Sequence, residues 1–292
     1  MNSQIFKTNI VFGSTPIGNP YDISLNNIMH INNADIILIE HQREFDFFIN
    51  NYNKIKQNNF YFPEINVKAK IYEYNLEDDY FYRQKICKEL IKKSEDKKIL
   101  CISDEGSSIF LEPASLFKHL CVKENKNFSV LSGPNSVISA VTNSIYNFTS
   151  FTFLGTFDDI VYDEFKKFNI IKMLDPDILI DRAHAYIFLI NGPQMLNGIK
   201  FLYDNFNNDW LIDFAINLTT NTETHIYSTI EKFYSMVKNN NNKTFFENKI
   251  YENRFAITLI SKSYDYLPDP EKFYNLNKSD ILVFEHKNIH EL

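Results

Sequence analysis

Glycine is scarce in this chain, at seven of 292 residues, or about 2% against a typical ~7%. Proline stops at nine, cysteine at three and tryptophan at one. Cys87, Cys101 and Cys121 are odd in number, widely spaced and form no C-x-x-C pair. That excludes a disulfide framework or a zinc site and points to reduced thiols in a cytoplasmic protein. The longest apolar runs, IILI at 36–39 and YIFLI at 186–190, are far short of a membrane span, so no membrane partner is expected. The opening residues MNSQIFKTN have neither the charged start nor the apolar core of a signal peptide. Positive charge is in the minority: 30 basic against 37 acidic residues give a net charge of −7, which is not the footprint of a strongly basic nucleic-acid-binding face. The seven histidines show no H-E-x-x-H spacing, and neither G-x-G-x-x-G nor G-x-x-x-x-G-K-[ST] occurs. A metal site and the common nucleotide loops therefore find no support.

What the chain does have is alternation. TNIVF (8–12), DIILIE (35–40), KKILCISDEG (97–106) and FSVLSG (128–133) read as strands, several of them unbroken apolar runs of the kind buried on both faces. Between them, 24–34, 43–55, 77–95, 113–125 and 135–145 carry helical spacing, the first capped by Ser24 and the last by Asn135 or Ser136. This is the pattern of an α/β domain with a mainly parallel sheet. Beyond it, 150–157, 185–190, 210–218 and 254–261 read as strands, with helices at 194–206 and 228–238. The reading is two α/β domains, 1–147 and 148–292, the second with a mixed sheet. Its single tryptophan, Trp210, and the 27 Phe and 17 Tyr spread along the elements read as core.

Three strand ends in the first domain carry short and polar residues: GSTPIGN, SDEGSS and SGPNS. Gly13, Pro16, Gly18 and Pro20 crowd the first of these, although the chain spends so few of either residue elsewhere. A stiff turn is the minimum that this composition implies. In an open parallel sheet such ends share one edge, where ligands bind.

STPIGNPYDIS resembles the amino-terminal signature of the tetrapyrrole-methylase superfamily, nearest to the small-subunit ribosomal RNA (cytidine-2′-O)-methyltransferase branch. The likeness continues in order through ADIILIEHQREFDFFINNY, ILCISDEGSSIFLEPASLF, VLSGPNSVISAVTNSIYNFTSFTFLGTF, FLINGPQMLNGIKFL and INLTTNTETHIYSTIEKF, covering roughly residues 8–261. It implies a methyltransferase using S-adenosylmethionine, two α/β domains with the cofactor in the cleft between them, and a homodimer. By position it places Pro16, Ser103, Asp104, Gly106, Ser107, Ser108, Gly133, Asn135, Ser136, Val137, Asn191, Leu218 and Thr219 at the cofactor. For a hydroxyl acceptor a base would help. Glu40, Asp104 and Glu223 are candidates, each also readable as an exposed carboxylate or a cap, and His41 and His184 are weaker ones. The chain departs from the family at NGPQM, which has no Glu and no His-Arg pair, and at INLTT, where Ile216, Asn217 and Thr220 replace Arg, Glu and Lys. Those lost cations would position a phosphate backbone. The resemblance implies a ribosomal RNA 2′-hydroxyl as acceptor, and these losses weigh against it; a small-molecule or peptide acceptor, or a non-catalytic binding protein, are the alternatives.

Overall fold

Short runs of Ile, Val, Leu and Phe build the first sheet in the computed structural model, which describes residues 7–56, 62–75, 77–107, 114–145, 150–157, 184–191, 195–206, 210–220, 222–238, 255–261 and 282–285. The chain forms two compact units, Met1–Asn135 and Ser136–Leu292. In the first, β1 (Ile10–Phe12), β2 (Ile36–Ile39), β3 (Lys70–Glu73), β4 (Ile99–Cys101) and β5 (Phe128–Val130) lie in the order β3-β2-β4-β1-β5, every pair parallel. The helices are α1 (Leu25–Asn33), α2 (Gln42–Lys56), α3 (Tyr80–Lys93) and α4 (Ala114–Lys123). Ser24 caps α1, its hydroxyl accepting from the Asn27 N–H. Asp79 caps α3 by accepting from Phe81 and Tyr82, so this helix starts later than its charge pattern suggests.

Strand side chains alternate between faces. Val11, Ile37, Ile39 and Leu100 pack with Ile28 and Ile31 of α1 and Phe45 and Tyr52 of α2. Ile10, Phe12, Ile36, Leu38, Ile99 and Cys101 pack with Cys87 and Leu90 of α3 and Phe117 and Cys121 of α4. Both faces are covered, which is why these strands read as unbroken apolar runs. The three cysteines are free and buried in one cluster. Burial pushes the Cys87 and Cys121 thiols up to about 12, which leaves them as unreactive core residues.

Chain order fixes where the functional edge lies. β1 leads through α1 to β2 on one face of the sheet, while its neighbour β4 leads through α4 to β5 on the other. Adjacent strands whose connections leave over opposite faces define a switch point, and the gap between their ends is where such sheets take a ligand.

The second unit carries β6 (Ser150–Thr156), β7 (His184–Asn191), β8 (Leu211–Ile216), β9 (Thr224–Thr229), β10 (Phe255–Ser261) and β11 (Leu282–Glu285). Their order is β11-β9-β8-β10-β7-β6, antiparallel throughout except for the parallel pair β6–β7, so the sheet is mixed. Its helices are α5 (Ser136–Asn143), α6 (Met195–Asn205) and α7 (Ile230–Lys238). β9 and β11 are additions to the strands expected from sequence, and α7 begins only after β9 ends. THIYST hides a strand because polar residues occupy buried positions along it. Its β-branched and aromatic content was the available signal.

Candidate functional site

The three short-residue loops of the first unit are laced together by their own backbones. Gly13 N–H donates to Cys101 O at 2.8 Å and Leu131 N–H to Phe12 O at 2.8 Å. Thr15 and Gly106 exchange both backbone bonds at 3.1 Å, and Ser14 pairs with Ser107 as an isolated antiparallel bridge. The Thr15 hydroxyl reaches Ser103 O and Asp104 O, each at 3.0 Å, while Ser103 Oγ donates to Gly106 O at 2.8 Å and Ser107 Oγ to Pro134 O at 3.1 Å. Gly106 sits at φ +76°, where a side chain would be strained and a Cβ would lie 3.0 Å from Ile17 Cγ2. At Gly133 a Cβ would stand 1.5 Å from Ser14 Oγ and 2.3 Å from Ser14 Cβ. The loops approach that closely.

Asn27 is the hub of this edge. Its Oδ1 accepts the buried Ser14 N–H at 2.9 Å, and its Nδ2 shares two protons among Ser24 Oγ at 2.7 Å, Ser132 O at 3.0 Å and Ser14 Oγ at 3.2 Å. One carboxamide thereby joins the loop after β1, the cap of α1 and the loop after β5.

Beside the switch point, the chain leaving β2 meets the loop after β4. Asp104 Oδ1 accepts the His41 backbone N–H at 3.2 Å, and its Oδ2 lies 2.5 Å from His41 Nδ1. The Asp104 side chain is 10% exposed and that of His41 44%. Donor atoms of Glu40, His41 and Asp104 all fall within 4.8 Å of one another. At that N–O separation the imidazole and the carboxylate are hydrogen-bonded to each other.

The second unit holds a buried charge triad. His225 on β9 lies opposite Ala215 on β8, one diagonal step from Asp213 on the same face. Its Nδ1 is 3.0 Å from Asp213 Oδ1 and its Nε2 3.0 Å from Glu223 Oε1. Asp213 is 0% exposed, His225 1% and Glu223 4%, too buried for an unpaired charge to persist. Tyr227 stacks on the imidazole at 5.7 Å, and Asn143 Nδ2 donates to Glu223 Oε1 at 2.9 Å. Glu223 Oε2 takes the Thr219 N–H at 2.5 Å. Burial works against the imidazolium, but its bonds to Asp213 and Glu223 prevail and hold His225 up at about 9. Burial raises the Asp213 carboxyl. It also pulls the Glu223 carboxyl upward, where the bonds from His225, Thr219 and Asn143 reverse the balance and leave it lowered.

Of the residues singled out in the sequence, Pro16, Ser103, Asp104, Gly106, Ser107, Gly133 and Asn135 lie on the loops at the parallel sheet's edge, Pro16 buried. Ser108 lies outside the described residues. Ser136 and Val137 open α5, Asn191 ends β7, and Leu218 and Thr219 form the turn after β8. Glu40 is half-buried, and Glu223 belongs to the triad. Sequence reasoning passed over Thr15 as a clamp, Asn27 as a hub, the pairing of His41 with Asp104, and both Asp213 and His225. Of these, His41 alone carried a signal, as a weaker base candidate just after a strand end.

No family model matches the chain. It is 29% identical over 195 residues, 67% of its length and 71% of the relative's, to the ribosomal RNA small subunit methyltransferase I of Mesomycoplasma conjunctivae. Its likeness to the protein of that name from Hydrogenobaculum sp. is 26% over 228 residues, 78% of this chain and 88% of the other. Among solved structures, a uroporphyrin-III C-methyltransferase from Thermus thermophilus complexed with S-adenosylhomocysteine superposes with a TM-score of 0.53 at 11% identity, covering 87% of this chain and 97% of that one. At that identity the likeness is one of fold.

Three outcomes are expected. Asn27→Ala leaves the buried Ser14 N–H without its acceptor and costs about 1–3 kcal/mol, read as an earlier denaturant midpoint for the first unit. Gly133→Ala drives a Cβ into Ser14 and destabilises by about 1–3 kcal/mol as an overpacked contact, while Gly155→Ala, with nothing within 4 Å of its Cβ, costs only its backbone strain. The third concerns pH. A histidine raised from 6.5 to about 9 stabilises the fold fully below pH 6.5, and that contribution is lost as pH rises through about 9. A melting series from pH 6 to 10 should fall across that window in the wild type. His225→Gln, which strands two buried carboxylates at a cost of about 3–5 kcal/mol, should melt lower and without that fall.

Proposed function

We infer that the chain, a divergent relative of the small-subunit ribosomal RNA methyltransferase I proteins within the tetrapyrrole-methylase superfamily, is an S-adenosylmethionine-dependent methyltransferase. The observation that carries this reading is the switch-point edge, where the loops matching the family's motifs converge. The donor set fits a nucleoside bearing an amino acid. Ser103, Gly106, Ser107, Gly133 and Asn135 are short residues that bring backbone N–H and C=O groups to the edge, and Pro16 stiffens its wall. By the family's pattern Ser136, Val137, Asn191, Leu218 and Thr219 would add contacts. When bound, S-adenosylmethionine supplies a methyl group made electrophilic by its sulfonium. The residues around it orient the reactants and exclude water, which is most of what such a transfer requires.

The proposed acceptor is a ribosomal RNA 2′-hydroxyl, supported by the names of the relatives. A second reading, a non-RNA acceptor, is favoured by the net charge of −7 and by Ile216, Asn217 and Thr220 where the family has charged residues.

Calorimetry with S-adenosylhomocysteine is the direct test. Wild-type protein should bind, and Gly106→Val, a β-branched residue forced to φ +76°, should bind at least ~10-fold more weakly. Absence of wild-type binding at high micromolar ligand overturns the reading. Tritiated-methyl transfer to small-subunit ribosomal RNA from a deletion strain, mapped to one nucleotide, decides for RNA. Binding without any transfer to RNA decides for the second acceptor class.

A further inference from the structure

We propose that His41, oriented by Asp104, is the general base that takes the proton from the methyl acceptor's hydroxyl. The inference rests on the methyltransferase reading above and adds a catalytic residue to it.

The geometry is that of an aligned dyad. The loop that carries Asp104 is pinned through its backbone, because the Thr15 hydroxyl holds its carbonyl and that of Ser103 at 3.0 Å each. Asp104 grips His41 twice, through the backbone N–H at 3.2 Å and Nδ1 at 2.5 Å. A carboxylate only accepts, so the Nδ1 atom donates its proton, and in the neutral ring the lone pair resides on Nε2. Such a fixed tautomer is what a carboxylate gives a catalytic imidazole. The ring keeps 44% of its side chain open to solvent while its partner carboxylate keeps 10%. The buried group orients and the accessible group reacts.

Backbone placement adds to this. His41 lies between β2 and α2, and its carbonyl starts that helix by accepting from Phe45 at 3.1 Å. The base is therefore mounted at the end of a buried strand and tied, through Asp104 and Thr15, to the loop after β1. Charged groups on the elements that meet there are Asp104 after β4, Glu40 beside it, Glu73 at the end of β3, which accepts from the Gln42 N–H at 3.2 Å, and Arg43 and Glu44 on α2. Carboxylates predominate, and they would attract the positive charge that proton uptake places on the ring.

In the step itself, the acceptor oxygen forms a bond to the methyl carbon as the carbon–sulfur bond breaks and its electron pair leaves with sulfur, giving a neutral thioether. The hydroxyl proton moves to His41 Nε2, and the resulting imidazolium is held against Asp104 until it loses the proton to solvent.

His41→Asn keeps an amide N–H for Asp104 but removes the base. With saturating S-adenosylmethionine and small-subunit ribosomal RNA from a deletion strain, it should lower kcat by roughly 10²–10³-fold and abolish the acidic limb of the pH–rate profile. Calorimetric affinity for S-adenosylhomocysteine should stay within about threefold, which shows that the variant is folded. Independently of turnover, nitrogen NMR of the wild-type imidazole should show Nδ1 protonated and Nε2 bare above the ring's titration. Asp104→Asn should release that preference and lower kcat as well. The opposite tautomer in the wild type, or a His41→Asn enzyme with unchanged kcat and pH profile, overturns the proposal alone. Failure of the wild type to bind the cofactor product overturns the methyltransferase reading, and the proposal with it.

Discussion

A single buried carboxamide, that of Asn27, holds the parallel sheet's functional edge together. β1, β4 and β5 are only three residues long, so their ladders end before the loops have been placed. The loops must be positioned by bonds of their own, and a buried polar group serves only if all its capacity is used. Asn27 meets that condition, with its oxygen on Ser14 and its nitrogen shared among Ser14, Ser24 and Ser132. The Thr15–Gly106 exchange and the Thr15 hydroxyl then extend the same order to Asp104. From a carboxamide on one helix, the constraint passes through two loops to the imidazole of His41.

The scarcity of glycine shapes the second unit in a different way. Left-handed backbone is assigned to Gly106 and Gly155, but also to Asn125, Asn217 and Thr219 at φ 52°, 55° and 65°. Asparagine tolerates this region, and Asn217 braces itself on Thr222 Oγ1 at 3.0 Å. A β-branched threonine does not, and such strain costs of order 1–3 kcal/mol. Thr219 is held there by the Glu223 carboxylate on its N–H. That carboxylate is buried, so it needs the His225 imidazolium, and the imidazolium needs Asp213. The triad thus follows from a turn in which no glycine stands at the strained position.

These two features differ in how far the sequence could reveal them. β2 and β4 were legible because burial on both faces erases alternation and leaves IILI and ILC as unbroken runs. The three loops were legible because short residues cluster at the strand ends of an alternating α/β pattern. Asn27 was not, because an asparagine-rich chain makes every asparagine look like surface, and its burial depends on a loop more than a hundred residues away. β9 was missed for a related reason: His225 is polar on its own account and buried only because Asp213 and Glu223 receive it. Periodicity reports the average environment of a segment. It does not report a charge made acceptable by a partner on another strand.

The net charge of −7 bears differently on the two proposed reactants. A sulfonium is a cation, and the carboxylates of Asp104 and Glu40 at the parallel sheet's edge favour it, as does the field of an acidic chain. An RNA backbone is a dense polyanion, and the same field opposes its approach. For RNA to be the acceptor, its phosphates must therefore meet local cations, and Arg43, exposed on the first turn of α2 two residues past His41, is placed to provide one. Arg43 lies in the segment after β2 that resembles the family, while Ile216, Asn217 and Thr220 stand where the family has charged residues. An acceptor phosphate at the β2–α2 junction would therefore meet Arg43 beside the imidazole, against the field of the acidic chain.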